Sequence, residues 1–252
     1  MTRTPVIAIL LGLSLAACGE TNGFGTLSSV QVSFATQPAA GLLAHRTGLA
    51  GAENDTLVIG ADTLVLTKVE LVLRELELKR ENVTDCPVDT TDDDACEKFE
   101  TGPALVDLPL TPGAQQAFEA EIPPGTYSEV EFEIHKPDDG DPADQAFLQQ
   151  YPAFNGVSIR VTGTFNGTPF VHTTELDVEQ ELSLVPNLVV AEGVSTNLTI
   201  LVTVSGWYVV NGALVDPATA NKDGPNESEV NNNIKDSFEA FEDPDRSGSD
   251  DD

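Results

Sequence analysis

The chain has 252 residues, of which 42 are acidic and 12 are lysine or arginine, giving a formal net charge of −30. A surface this acidic excludes general polyanion binding, because nucleic acid needs a basic footprint and no basic run exceeds Lys79-Arg80. The acidity fits solubility, cation binding or a basic partner, and the length suits one large β domain or two small ones.

Arg3 and the α-amine form a short positive start, followed by an apolar run from Val6 to Leu15 and then by Ala16-Ala17. That layout is a secretory signal peptide. The run is about ten residues, whereas a bilayer span needs roughly 20. Leu15-Ala16-Ala17-Cys18 resembles the bacterial lipobox. The resemblance implies cleavage before Cys18, lipidation of its thiol and acylation of the new amine, and several acyl chains give stable anchoring. Gly19 in place of an Asp retention signal implies the outer membrane. The expected organisation is a signal peptide over 1–17, a lipidated Cys18 with a flexible tether over 18–26, a β-sandwich over 27–216, and a helix with an acidic tail over 217–252.

Period-two alternation dominates the interior of the chain. Val30, Val32 and Phe34 alternate with polar residues. From Thr63 to Arg80 the apolar positions change parity, odd at Val69, Leu71 and Leu73 and even at Leu76 and Leu78. A strand here needs a bulge near Arg74-Glu75; a helix through Val69, Val72, Leu73 and Leu76 is the alternative, and the strand is preferred. Cys86 and Cys96 flank an acidic segment containing Asp92 to Asp94. An even pair in an exported chain reads as a disulfide, worth roughly 2–3 kcal/mol for so short a loop. Two thiols alone make half a zinc site at best.

Farther on, Val130, Phe132 and Ile134 alternate with Glu129, Glu131 and Glu133, so one face of that strand is apolar and the other is a ladder of carboxylates. Asp138 to Asp144 reads as a solvated acidic loop or a calcium site. Asn166-Gly167 predicts a two-residue type I′ hairpin. Its register pairs Phe165 with Thr168, Gly163 with Phe170, Val161 with His172, Ile159 with Thr174 and Val157 with Leu176. Phe170 then covers the bare Gly163 backbone, and Pro169 places its strand at an edge. Leu198, Ile200, Val202 and Val204 alternate again, with Leu201 the exception.

Near the end, Val230, Ile234, Phe238 and Phe241 are spaced as one face of a helix, with Asn226 or Ser228 as the cap. Asp243, Asp245 and Ser247 occupy positions 1, 3 and 5 of an EF-hand-like loop, with Gly248 at 6 and Asp251 at 9. The acid of position 12 would fall at residue 254, so a full EF-hand is not expected; a weak Ca²⁺ site or a solvated acidic tail is. No other cofactor is expected.

Leu71 to Lys79, Val106-Asp-Leu-Pro-Leu110 and Ile122-Pro-Pro-Gly-Thr-Tyr-Ser-Glu-Val130 resemble, in that order, a family of uncharacterised bacterial lipoproteins, a domain of unknown function. The resemblance spans about 63–137. It implies an exported sandwich of transthyretin-like or immunoglobulin-like type, and no catalytic residue.

The chemistry-bearing residues are sparse. His45, His135 and His172 lie in different segments. His172 falls on the apolar face of its strand and reads as a hydrogen-bonded core histidine, while His135 ends a strand and reads equally well as surface. Trp207-Tyr208 offers a sugar-stacking platform or a piece of core. No nucleophile elbow, metalloprotease helix or phosphate-binding loop appears. The expectation is a mainly β protein, an antiparallel sandwich of about 8–10 strands with one short C-terminal helix. It sits on the membrane through its lipid, takes no nucleic acid, and binds a protein or glycan or serves structurally. The alternative is an extracytoplasmic carbohydrate-active enzyme using a carboxylate pair.

Overall fold

A computed structural model describes residues 27–37, 54–81 and 102–250. Cys18, Cys86, Cys96 and Asp251, with the expected lipidation and disulfide, lie outside the described residues. In chain order the elements are β1 (Ser28–Thr36), β2 (Asp55–Ile59), β3 (Asp62–Arg80), β4 (Ala104–Asp107), β5 (Gln115–Ile122), β6 (Gly125–Ile134) and α1 (Gln145–Gln150). There follow β7 (Ile159–Phe165), β8 (Thr168–Thr174), β9 (Val178–Val190), β10 (Thr196–Val202), β11 (Val209–Val210), β12 (Ala213–Leu214), α2 (Glu227–Lys235) and β13 (Phe238–Glu242).

The protein is mainly β, as its alternation predicts. A four-stranded sheet runs β13-β10-β1-β5, and a larger one runs β8-β7-β3-β6-β9 with β2 and β4 also on β3. Their inner faces meet in one core, where Val32, Phe34, Leu198 and Ile200 join Leu76, Val130 and Phe132. Among the described strands, pairing is antiparallel except between β1 and β10, which run parallel. Parallel neighbours need a long crossover rather than a hairpin, and here most of the chain separates the two strands.

β3 is the spine of the larger sheet, and it is a strand. Its parity change is absorbed where expected: Glu75 has φ of 55° and the pairing with β6 shifts register between Arg74 and Glu77. Leu71 and Leu73 before the bulge and Leu76 and Leu78 after it all reach the core. A strand residue's N–H and C=O point to the same edge. Val72 donates its N–H to Ser158 O and accepts from the N–H of His135, at 2.8 and 2.9 Å. The end of β6 and the start of β7 therefore abut at Val72.

The Asn166-Gly167 hairpin has the predicted register from Phe165↔Thr168 to Ile159↔Thr174; the Val157–Leu176 pair lies beyond the ladder. Asn166 and Gly167 both have positive φ, as a type I′ turn requires. A Cβ on Gly163 would lie 2.0 Å from Val65 O and 3.1 Å from the Phe170 ring, so only glycine fits there. Pro169 sits on β8, an edge strand. In the Gly-Thr-Tyr turn, the buried Tyr127 donates its hydroxyl to Pro123 O at 2.7 Å, and the Arg80 guanidinium lies 5.5 Å over the Tyr127 ring.

The end of the chain corrects one expectation. α2 has Asn226 at its N-cap position, where the side chain caps no helix N–H and donates instead to Thr219 Oγ1 at 2.8 Å; the helix ends at Lys235, and Phe238 and Phe241 belong to β13 instead. The reason lies in Phe238-Glu-Ala-Phe-Glu242. Strand pairing to β10 turns Phe238 and Ala240 into the main core. It turns Phe241 to the opposite face, against Ala35 and Leu201. That small outer cluster also explains why Leu201 breaks the alternation of its strand. β13 thus forms one edge of the four-stranded sheet.

Candidate functional site

β6 lies between β3 and β9, so its polar face is flanked on both sides. Glu131 pairs with Glu77 across one interface and Glu181 across the other; Glu133 pairs with Arg74 and Glu179, and Glu129 with Lys79 and Ser183. The carboxylate ladder seen in the sequence becomes a carboxylate face of the larger sheet. On these three strands Glu77, Glu129, Glu131, Glu133, Glu179 and Glu181 meet two cations, Arg74 and Lys79. Like charges directly opposite one another cost stability. Lys79 bonds Glu131 and lies 3.6 Å from Glu129. Arg74 Nε donates to Glu133 Oε2 at 2.7 Å. Glu129 is raised above the ordinary carboxylate range, first by burial and then by its hydrogen bond with Glu131, against the pull of Lys79.

Position 135 continues the odd-numbered polar series of β6, and His135 is buried, at 4% exposure, rather than a surface residue. Its Nε2 lies 2.8 Å from Oδ1 of Asp144, which is itself fully buried. A carboxylate only accepts, so Nε2 carries the proton in that bond. Oδ2 of Asp144 accepts from the Asp138 N–H at 2.8 Å. The expected acidic loop at 138–144 is thus folded onto its own backbone. Asp138 accepts from Gly140 N–H and Asp141 from Ala143 N–H, and Asp144 leads into α1. Phe147 and Phe154 then pack on Val72 and roof this end of the sheet.

The other ring nitrogen, His135 Nδ1, is buried without a hydrogen-bond partner. Two oxygens face it, Glu133 Oε1 at 3.6 Å and Asp177 Oδ1 at 3.7 Å. Each of the three residues offers one ligand atom, and these atoms lie within 4.8 Å of one another. Asp177 is half-exposed and reaches the site from the loop before β9, held by the Lys136 N–H at 3.1 Å.

The residues singled out in the sequence fall elsewhere. His172 is a core histidine: a carbonyl only accepts, so Nε2–H donates to Ala220 O at 3.1 Å, and Nδ1 accepts the Tyr208 hydroxyl at 2.8 Å. Burial lowers its pKa to about 4. Trp207 and Tyr208 are fully buried, and burial pushes the Tyr208 phenol well above its ordinary value. They are core, not a sugar platform.

In the EF-hand-like loop, Asp243 is buried and both its oxygens are in use. Oδ1 accepts from Ser247 N–H at 3.0 Å, and Oδ2 accepts from Gly248 N–H and Thr199 Oγ1, each at 2.9 Å. Asp245 accepts from the same Ser247 N–H, which holds its carboxyl below the usual range. These bonds account for the loop's shape without an ion, and they tie the end of the chain to β10. For the glycosidase alternative, two clefts of about 300 Å³ lie beside β4 and β5, and among the described residues Asp107 is the single carboxylate lining each. Neither assembles the acid pair that glycoside hydrolysis needs.

No helix among the described residues is long and apolar enough to cross a membrane. Compared with known protein families, with curated proteins and with solved structures, the chain matches none.

Proposed function

We propose that this chain is an exported lipoprotein, anchored to the outer membrane through Cys18, whose sandwich works by binding rather than by catalysis. The observation that carries the reading is Leu15-Ala16-Ala17-Cys18 placed directly after a charged start and a short apolar run. The first strand begins at Ser28, so a short Gly- and Asn-containing tether separates lipid from fold. The resemblance of 63–137 to exported lipoprotein sandwiches supports the same reading.

The carboxylate face supports a cationic partner, a basic protein segment. Glu131 and Glu181, opposite each other on β6 and β9, both act as like charges on Glu129, and a positively charged ligand relieves that repulsion while steering its own approach. The anchor is tested by labelling cells with a fatty-acid analogue. The wild-type chain should carry label, and Cys18→Ser should lose it and accumulate uncut precursor; equal labelling of both refutes the anchor. A lysine-rich peptide serves as probe of the face. Its affinity should fall with added salt and drop in Glu179→Gln/Glu181→Gln, and binding indifferent to those changes removes the face as the site.

A further inference from the structure

We propose that Glu133, His135 and Asp177 bind one divalent transition ion of the zinc class, through His135 Nδ1 and one oxygen of each carboxylate. The inference goes beyond the anchored-module reading and stands whether or not Cys18 is lipidated.

The spacing is the first argument. His135 Nε2 closes on Asp144 to 2.8 Å, as an ordinary charge-assisted hydrogen bond does. Nδ1 of the same ring faces two carboxylate oxygens yet closes on neither, at 3.6 and 3.7 Å. Those separations are too long for hydrogen bonds. They suit ligands of a shared ion, since two atoms each about 2.0–2.1 Å from a tetrahedral centre stand roughly 3.3–3.4 Å apart.

Burial is the second argument. A ring nitrogen out of reach of water and of any protein hydrogen bond costs stability, and Nδ1 is such an atom, aimed at two acceptors. A metal ion satisfies it and neutralises the carboxylates at once.

A further set of partners stands behind the ligands. Metal-bound imidazole usually donates its other N–H to a carboxylate, which fixes the tautomer and the ring plane. Asp144 fills that place from full burial and is itself held by the Asp138 N–H. Arg74 grips Glu133 mainly through Oε2 at 2.7 Å, with a longer contact of 3.3 Å to Oε1, the oxygen nearer His135. The Lys136 N–H steadies Asp177. One nitrogen with two carboxylate oxygens favours Zn²⁺ or Co²⁺ over the all-oxygen preference of Ca²⁺ and Mg²⁺. Asp177 is half-exposed, so a fourth position opens to solvent, where a water or a partner's side chain completes the shell.

Co²⁺ is the probe, added to the untagged full-length chain in detergent and followed by visible absorption, then displaced by Zn²⁺. One Co²⁺ per chain is expected, with the d–d bands of nitrogen and oxygen ligation, undisturbed by millimolar Ca²⁺. Asp177→Asn keeps an oxygen for the Lys136 N–H and so spares the fold; it should weaken binding at least about tenfold. Asp144→Asn, which touches no ion, should weaken it about 10–100-fold by freeing the ring. In the wild-type protein, Zn²⁺ should shift the His135 ring resonances and leave those of His172 in place. Absence of Co²⁺ binding at millimolar concentration overturns the proposal and leaves His135 as a buried ring oriented by Asp144 alone. Undiminished binding by Asp177→Asn overturns it too, as does a thiolate charge-transfer band, which would put the ion on Cys86 and Cys96.

Discussion

His172 and His135 are both buried in the larger sheet's strands or at their ends, at 0% and 4% exposure, yet their surroundings are opposites. His172 lies on the core side, where a phenol and a carbonyl satisfy its two nitrogens and no charge comes near. His135 lies on the outer side, at the end of a carboxylate ladder, with one nitrogen on a buried carboxylate and the other facing two more. Burial alone therefore does not define a histidine's role. A ring whose nitrogens are both satisfied by neutral groups is a packing element with a fixed tautomer. A ring oriented by one carboxylate and left open toward others is a ligand waiting for a cation.

The contrast can be broken most forcefully at Asp144. Asp144→Ala leaves two donors, His135 Nε2–H and the Asp138 N–H, without their acceptor and should cost the metal-free protein about 3–5 kcal/mol, read by denaturant unfolding. A loss within the error of a surface substitution would mean that the His135–Asp144 contact is not buried as described.

The pH dependence of stability tests the other histidine. Its folded pKa of about 4 lies below the unfolded value of 6.5, so the unfolded state takes up the proton first. The stabilisation is whole above pH 6.5 and is lost as pH falls toward 4, a total of about 3 kcal/mol. His172→Gln should flatten that part of the pH–stability curve relative to wild type. Parallel curves would show that His172 does not stay neutral in the fold.

Tyr208→Phe sharpens the same point more gently. It leaves His172 Nδ1 without its donor and should cost about 1–2 kcal/mol in the same unfolding assay, with no effect on cobalt binding at His135. Smallest of all is Glu129→Gln on the carboxylate face. Glu129's carboxyl is raised in the fold, so its charged form opposes folding above that raised value. The substitution should stabilise the protein by about 0.2–1 kcal/mol at neutral pH, a gain that shrinks as pH falls and Glu129 protonates. A destabilised variant would mean that Lys79 outweighs the repulsion from Glu131.

Much of the fold was legible from local pattern. Alternation marks β1, β6 and β10. The parity change from Leu73 to Leu76 demands the bulge found at Glu75, and Asn166-Gly167 dictates a hairpin whose partners share a face. These features are readable because a strand has period two and a two-residue turn leaves one register. The candidate site was legible only as a hint, Glu133-x-His135 on the polar face of one strand. Asp144 arrives through the loop into α1, and Asp177 from 42 positions after His135. The gathering of the three around one ring follows from β9 pairing with β6, and from the meeting of β6 and β7 at Val72.

By itself, then, the amino-acid order determined the mainly β class, the register of the Asn166-Gly167 hairpin, the bulge near Glu75, the acidic surface and the motif around Cys18, because each of these resides in near neighbours along the chain. Only the tertiary structure decided that β1 and β10 run parallel, that Phe238 and Phe241 leave the helix for a strand, and which histidine faces carboxylates. Those outcomes depend on contacts between segments tens to more than a hundred residues apart, whose energies exceed the local preferences that a periodicity can show.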